Sequence, residues 1–543
     1  MFDKCKNVSE LIQYHATKRP DNVAITAPRK KLFGGFKYKS ITFLEANKKI
    51  DQFVLKLQAL GVKPQDRVLI FVKPNLDFNL IVFALFRLGA IAIFIDPGMK
   101  REYFFKCIKE VKPDALIGIS KVHLLRLFYQ DIFSTIKIFI TMSHLSVLNK
   151  SLYHGLKKQL GKVNIYQPKT TELAAILYTS GGTGKPKGVE YGHDIFINQT
   201  RMLKTEFSLN SFDIDIPGFP LFSLFTMAIG MNSAIPFMDA AKPAECKPEF
   251  LYQNIQDNQA TFIAGSPAIW ERLADYCLKN KLKIQSVKSV VMFGAPVTLS
   301  LHRKFAQILT QGTTYTPYGA TECLPVTNVS GKFILSNAAQ EIQNGKGVCV
   351  GPALEGVKVK IIKQSQDIIK KMSDVEELGA EEIGEIIVNS LNVTKAYFEQ
   401  EEATQKAKIY DGQKVWHRMG DVGYLDKNGN LWFCGRLKHV VELKNTKLYP
   451  IQVENIFNQH PKIKRSALIK NEKEQTAALV IERNDKKEEI ESMFLMDLKN
   501  IAQGHEHTKF VTEFYARKNF PVDTRHNIKI DRTRLQKDVM ENK

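Results

Sequence analysis

Tyr178-Thr179-Ser180-Gly181-Gly182-Thr183-Gly184-Lys185-Pro186-Lys187-Gly188 is the stretch on which the reading of this chain turns. It follows the apolar run from Leu173 to Leu177, so a buried strand feeds a loop of glycines, hydroxyls and lysines. From Thr179 to Gly188, ten positions hold four glycines, three hydroxyl residues and two lysines. A plain surface loop has no need of that concentration. Backbone N–H groups left accessible by glycine, short hydroxyls and ammonium groups together make a cradle for phosphate oxygens. The loop is not a Walker A motif, because Gly184-Lys185 runs into Pro186 and the upstream glycine spacing differs.

On either side of the loop, short apolar runs alternate with helical periodicity. Phe43, Leu44, Ala46, Ile50, Phe53, Val54 and Leu57 recur at helical spacing up to Gly61. Residues 67–72 read as a strand, 76–88 as a helix and 91–95 as a strand. Further strand-like runs fall at 115–117, 138–140, 174–178 and 261–263. Such alternation argues for an α/β fold with mostly parallel sheets. Residues 384–388 and 416–433 read as strands with turns, among them Asp426-Lys427-Asn428-Gly429. After Gly435-Arg436 the chain becomes charge-dense. The expectation is a large N-terminal domain of layered helices and mostly parallel sheets over 1–436, and a small mobile α+β domain over 437–543.

Composition narrows the class without deciding it. The 543 residues are 44% hydrophobic and 24% charged, which excludes wholesale disorder and collagen-like repeats. The formal net charge is +21, which suits nucleic acid, anionic lipid or a polyanionic small molecule. Seven dispersed cysteines, none in a CxxC pair, indicate neither a disulfide framework nor a structural zinc site, and fit a cytoplasmic setting. Residues 1–14 carry Asp3, Lys4, Lys6 and Glu10 and lack the apolar core of a secretory leader. Residues 216–238 carry no charge and could span a bilayer, but Pro217, Pro220, Pro236, Asn232 and Ser233 favour a buried helix lining an apolar pocket.

The quoted loop resembles the phosphate-loop signature of the adenylate-forming superfamily: acyl-CoA synthetases, peptide-synthetase adenylation domains and luciferases. Further matches follow in the family's order. Tyr318-Gly319-Ala320-Thr321-Glu322 resembles its YGxTE motif, Gly420-Asp421 with Gly423-Tyr424 its G-D-x-G-Y segment, and Gly435-Arg436-Leu437-Lys438 its G-R-x-[DK] element. Gly294-Ala295-Pro296 resembles the small-residue segment beside the adenine. The resemblance implies ATP and Mg²⁺ as cofactors. It implies an ATP site of Thr179, Ser180, Gly181, Gly182, Thr183, Gly184, Lys187, Gly294, Ala295, Pro296, Tyr318, Gly319 and Ala320. Thr321 would hold the α-phosphate, Glu322 would ligate the metal, Asp421 and Arg436 would bind the ribose, and Lys438 would mark a hinge. The chemistry is consistent with such a set, since carboxylate attack on ATP develops charge on the α-phosphoryl group, and positioning with neutralisation carries most of the catalysis.

Phe520-Pro521-Val522-Asp523-Thr524-Arg525-His526-Asn527-Ile528-Lys529-Ile530 occupies the place of the family's C-terminal lysine motif. Common acyl-CoA synthetases carry P-[KR]-T-x-x-G-K there. This version resembles the β-lactone-forming branch from bacterial long-chain olefin biosynthesis, with Lys529 as the catalytic lysine. Two departures point the same way: Ser223 stands where many acyl-CoA synthetases have histidine, and Lys444-Asn445-Thr446 where the family usually has a glycine. That branch implies a fatty acid partner bearing a 3-hydroxyl and association with other olefin-pathway enzymes, while the cysteines and the basic balance suit a cytoplasmic protein peripheral to the inner face of the membrane. Phe219, Phe222 and Phe225 are candidates for an acyl pocket. His505-Glu506-His507 lacks metal-site spacing, and His193 reads as structural. The rival readings are a fatty acyl-CoA ligase, a homologue that binds nucleotide without catalysis, and a basic nucleic-acid or membrane-surface binding protein. Nucleic acid is not expected, because no RRM, KH or zinc pattern occurs and the charge does not gather in one tract.

Overall fold

The computed structural model describes residues 2–32, 34–96, 98–143, 150–159, 161–179, 185–522 and 530–541. The chain opens its sheet structure with an antiparallel hairpin, β1 (Val23–Lys30) and β2 (Phe36–Thr42). Next come β3 (Arg67–Phe71), β4 (Ile91–Ile95), β5 (Ala115–Gly118), β6 (Ile138–Thr141), β7 (Lys150–Ser151), β8 (Leu173–Thr179) and β9 (Lys187–Gly192). Among the described residues, β3 to β9 form one sheet in the order β7-β6-β5-β3-β4-β8-β9, parallel except for the closing β8–β9 hairpin. Five more strands follow: β10 (Ile214–Pro217), β11 (Asn232–Ala234), β12 (Phe262–Gly265), β13 (Ser289–Met292) and β14 (Thr313–Tyr315). They join the first hairpin in a second sheet of order β14-β13-β12-β10-β11-β1-β2, again parallel except for β1–β2. Unbroken apolar runs such as Ala115-Leu116-Ile117 suit strands covered on both faces.

A helical layer fills the space between the two sheets. The helix Leu76–Leu88 starts where the Asn75 side chain accepts from the N–H groups of Asp77 and Phe78, and ends at Gly89 with φ +83°. Every residue from Phe78 to Leu88 is buried, including Asn79 and Arg87, whose Nη1 lies 2.6 Å from Asp51 Oδ1. Its cluster takes in Ala24 and Ile25 from one sheet and Val68 and Ala92 from the other. The helix Phe43–Ala59, which packs on it, begins with a capping box between Thr42 and Glu45.

The uncharged stretch 216–238 differs from the single buried helix expected of it. It divides into the end of β10, the helix Phe222–Ile229 and β11. Gly230 makes the break, with φ +104° and the His15 ring so close that an added Cβ would lie 2.5 Å from it. Prolines at 217, 220 and 236 keep the flanks from extending the helix. No helix among the described residues is long and apolar enough to cross a membrane.

The short hairpin β15 (Tyr318–Ala320) and β16 (Cys323–Thr327) precedes a third sheet. That sheet is antiparallel and contains β17 (Val348–Pro352), β18 (Lys358–Ile362), β19 (Gly384–Asn389), β20 (Lys408–Asp411), β21 (Lys414–Leu425) and β22 (Asn430–Arg436). The residues beyond carry a hairpin, β23 (Val441–Leu443) with β24 (Thr446–Leu448), and a three-stranded sheet of β25 (Ile463–Asn471), β26 (Thr476–Arg483) and β27 (Val511–Arg517). They have a core of their own, with Val453, Phe457, Leu479, Ile481, Phe494 and Leu498 in one buried cluster.

Candidate active site

Ala320 faces Cys323 across the β15–β16 hairpin, so Thr321 and Glu322 form its two-residue tip. Gly319 is the residue that allows the tight approach, because a Cβ there would lie 2.7 Å from the Cys323 carbonyl oxygen. The tip is held by its backbone. Tyr191 Oη on β9 donates to the Thr321 carbonyl at 2.5 Å, and Thr394 donates to the Glu322 carbonyl from both N–H (2.9 Å) and Oγ1 (3.2 Å). Glu322 Oε1 accepts from Tyr397 Oη at 2.6 Å. Burial first, and the Glu322 charge second, push the Tyr397 phenol well above its ordinary range, so it stays a donor.

Residues 394–400 also tie this tip to the β8–β9 hairpin. Val189 on β9 pairs with Tyr397, Phe398 N–H donates to Gly188 O at 2.7 Å, and Glu190 N–H to Ala396 O at 3.2 Å. Gln400 Nε2 donates to Pro186 O at 3.3 Å and to Glu110 Oε1 at 2.6 Å. Lys187 Nζ then lies 4.5 Å from the centre of the Tyr397 ring, within cation–π reach. Burial lowers the Lys187 ammonium pKa, and nearby Glu322 opposes that shift. Thus Lys187 and Glu322, far apart in sequence, share one corner through Tyr397. Behind them lies Lys408, whose Nζ donates to Thr394 O at 2.5 Å; burial lowers its pKa to about 8.

The second group sits on the third sheet. Asp421 faces Arg436 in the β21–β22 register, and Arg436 Nη1 lies 3.0 Å from Asp421 Oδ1. Tyr318 Oη donates to Asp421 Oδ2 at 2.7 Å. The expected ribose pair is therefore an ion pair braced by the first residue of the YGxTE match. The Asp421 carboxylate raises the Arg436 pKa, and burial with the same charge holds the Tyr318 phenol far above its usual range. Lys438 follows in the turn Leu437–His439; burial, then Arg436, lowers its pKa to about 8. Lys444 and Asn445 make the turn between β23 and β24.

The third group gathers where β10, β12 and β13 end, outside the carboxyl edge of a parallel sheet. Gly294 has φ +87°, which favours glycine, and it and Pro296 are exposed while Ala295 is half-buried. Its neighbour Phe293 stacks on Phe222 at 5.5 Å and meets Phe219 edge-on at 6.3 Å. Phe222 also stacks on Phe262, and Phe225 packs against Phe196, so these rings sit in an aromatic cluster. A narrow cleft beside the same helix is lined by Phe78, Pro220, Ser223, Ile235, Pro236 and Met238, among others. Ser223 Oγ donates to Asn79 Oδ1 at 2.9 Å, so the departure from histidine leaves a satisfied, buried hydroxyl. His193 is buried and held near Val8 N–H, and His505-Glu506-His507 lies in a turn.

Ser180, Gly181, Gly182, Thr183, Gly184, His526 and Lys529 lie outside the described residues, as does the side chain of Thr179. Val522 and Ile530, on either side of the lysine motif, pair with each other. Among the described residues no group of three or more His, Cys, Asp or Glu is arranged to hold a metal. Glu322 alone still fits Mg²⁺, which takes one or two protein carboxylates and completes its octahedron with phosphate oxygens and water. Sequence reasoning missed Tyr191, Thr394, Tyr397 and Lys408. Nothing local marks Tyr397 among 17 tyrosines; only the crossing of residues 394–400 onto β9 gives it a partner.

With its two parallel sheets, its antiparallel sheet and the small unit beyond Arg436, the chain has the fold of an adenylate-forming enzyme. It superposes on the O-succinylbenzoate coenzyme A synthetase of Bacillus subtilis, solved with ATP and magnesium ion, with a TM-score of 0.76 at 18% identity, over 96% of this chain and 99% of that one. The chain belongs to the AMP-binding enzyme family, whose sequence model matches residues 12–398. It is an AMP-forming ligase or synthetase that uses ATP. It is 34% identical to the olefin beta-lactone synthetase of Xanthomonas campestris pv. campestris, over 97% of this chain and 96% of the relative. The olefin beta-lactone synthetase of Stenotrophomonas maltophilia is likewise 34% identical, over 97% of each.

Proposed function

We propose that the protein joins ATP to a 3-hydroxy fatty acid and closes the product to a β-lactone. The observation that carries this reading is the 34% identity, across nearly the whole length, to two olefin beta-lactone synthetases. In the first step a carboxylate oxygen bonds to the α-phosphorus as the bond to pyrophosphate breaks. In the second, the 3-hydroxyl oxygen bonds to the acyl carbon, the bond to AMP breaks, and the hydroxyl proton passes to solvent. The sum is hydroxy acid and ATP to lactone, AMP and pyrophosphate. Holding nucleophile and electrophile in one molecule is worth effective molarities on the order of 10⁵ M.

In this reading residues 179–184 and Lys187 cradle the phosphates, Thr321 holds the α-phosphate, and Asp421 and Arg436 take the ribose. Glu322 would hold Mg²⁺, which when bound neutralises phosphate charge. Tyr397 keeps the Glu322 carboxylate in place by its 2.6 Å hydrogen bond. The large domain spans 1–436, and the small domain, 437–543, turns about Lys438 to bring Lys529 to the phosphates. Adenine lies against Gly294-Ala295-Pro296, and the acyl chain beside Phe219, Phe222 and Phe225 or in the Ser223 cleft. Incubation with a 3-hydroxy fatty acid, Mg·ATP and no coenzyme A, read by mass spectrometry, tests it. AMP together with a dehydrated, lactone-type product is expected. AMP release only when coenzyme A is added would make the protein a fatty acyl-CoA ligase.

A further inference from the structure

The β1–β2 hairpin has no part in the chemistry above, yet it holds an unusual concentration of charge. Arg29, Lys30, Lys31, Lys37 and Lys39 fall within it or at its turn, and no Asp or Glu occurs from residue 22 to 44. All five side chains are exposed, and among the described residues none of them is in an ion pair. The register sets Arg29 directly opposite Lys37, and Lys39 opposite Ala27. Side chains alternate along a strand, so Arg29, Lys37 and Lys39 share one face, which Lys31 continues at the turn. Like charges placed opposite each other destabilise a hairpin.

The other face explains how the hairpin is held. Phe36 is buried against Phe237 at 5.1 Å and Phe250 at 5.5 Å. Lys30 and Lys247 both reach over the Phe250 ring, at 5.2 and 5.4 Å, and Tyr38 Oη donates to Asp257 Oδ2 at 2.9 Å. The cationic face therefore points away from the body of the molecule. At the turn Leu32 is 92% exposed, a large aliphatic side chain at the end of a cationic strand pair. Phe237, the ring on which Phe36 rests, lies between Pro236 and Met238, two of the residues lining the Ser223 cleft.

We propose that this hairpin docks the enzyme on an anionic lipid surface, with Leu32 entering the interface and Arg29, Lys31, Lys37 and Lys39 on the headgroups. Juxtaposed cations flanking an apolar tip match a surface that is negative outside and apolar just beneath. A nucleic acid would engage the cations but gives Leu32 no partner. Docking there brings the Ser223 cleft, by way of Phe237, close to the source of a fatty substrate; that consequence rests on the proposed function, whereas the docking itself does not.

The test is flotation of the full chain with phosphatidylcholine vesicles, with and without phosphatidylglycerol, and in parallel binding to duplex DNA. The wild type should float only with phosphatidylglycerol present, and salt should release it. Combined Lys31→Glu, Lys37→Glu and Lys39→Glu should lower partitioning about 100-fold, and Leu32→Ser several-fold. Flotation of the triple variant equal to wild type, or equal wild-type flotation without phosphatidylglycerol, overturns the proposal. So does DNA binding as tight as vesicle binding and indifferent to Leu32→Ser. All variants should melt no lower than wild type and keep its pyrophosphate release with a water-soluble acid. A chain that floats as expected but releases no pyrophosphate keeps the docking surface and loses the proposed reaction.

Discussion

Each large sheet closes with one antiparallel hairpin, and the two hairpins could hardly be used more differently. The β8–β9 pair and the β1–β2 pair have the same place in the topology: the last strand of a seven-stranded, otherwise parallel sheet. Both carry lysines. In β8–β9 the cation is drawn inward, since Lys187 is partly buried against Tyr397 and beside Glu322, and residues 394–400 are stitched along the strand. In β1–β2 the cations are exposed, with Arg29 facing Lys37 and Lys39 facing Ala27. Topology thus supplies two equivalent platforms, and the neighbours that pack on each decide whether a lysine is drawn inward or left in water.

The sharpest way to break this comparison is to make one substitution in both hairpins. Lys187→Glu places a second carboxylate beside Glu322, and pyrophosphate release should fall at least about 10³-fold. A residual rate near wild type would mean that the inward cation has no role. Glu322→Gln keeps the shape of the corner and removes its charge; a loss of about 10²–10³ in kcat is expected, only partly recovered by excess Mg²⁺ in a titration. Tyr397→Phe deletes a single donor to the carboxylate and should cost about tenfold in kcat with little change in KM for ATP, a split read from initial rates.

Subtler differences lie in the sheets themselves. Asp215, fully buried on β10 with Thr226 as donor at 2.8 Å, has its pKa pushed by burial to about 8. Its folded value lies above its unfolded one, so the stability it contributes is complete below about pH 4 and is lost as pH rises through 8. Asp215→Asn should therefore flatten the decline in unfolding free energy between pH 5 and 8, measured against wild type by urea melts. A difference curve with no slope would rule out a carboxyl that stays neutral. Smallest of all, Lys37→Glu relieves the repulsion with Arg29. It should leave adenylation untouched and raise the melting temperature by about 1 °C in calorimetry.

The sequence was most legible where chemistry and periodicity coincide. The helix Leu76–Leu88 and the strand Ile91–Ile95 have the bounds that their apolar runs and Gly89 dictate. The pairing of Asp421 with Arg436 could be guessed only as shared proximity to a nucleotide; their direct contact depends on a strand register that no motif encodes. Residues 216–238 misled because hydropathy reports burial but not direction, and three prolines with Gly230 turn one apolar run into strand, helix and strand. The basic hairpin looked like general scatter, since a sequence places Arg29 eight residues from Lys37 whereas the register puts them side by side.

The stitching of residues 394–400 onto β9 also sets a schedule. Gln400 and Pro186, which touch in the finished protein, are 214 residues apart. At roughly 5–20 residues per second, a ribosome needs on the order of 10–40 s to make the intervening chain. The β8–β9 strands can pair early in that interval, whereas Glu322 is made later and then waits 72 residues for Thr394 and 75 for Tyr397. A nascent chain therefore passes through a period in which β8 and β9 are made and the Glu322 corner is still open.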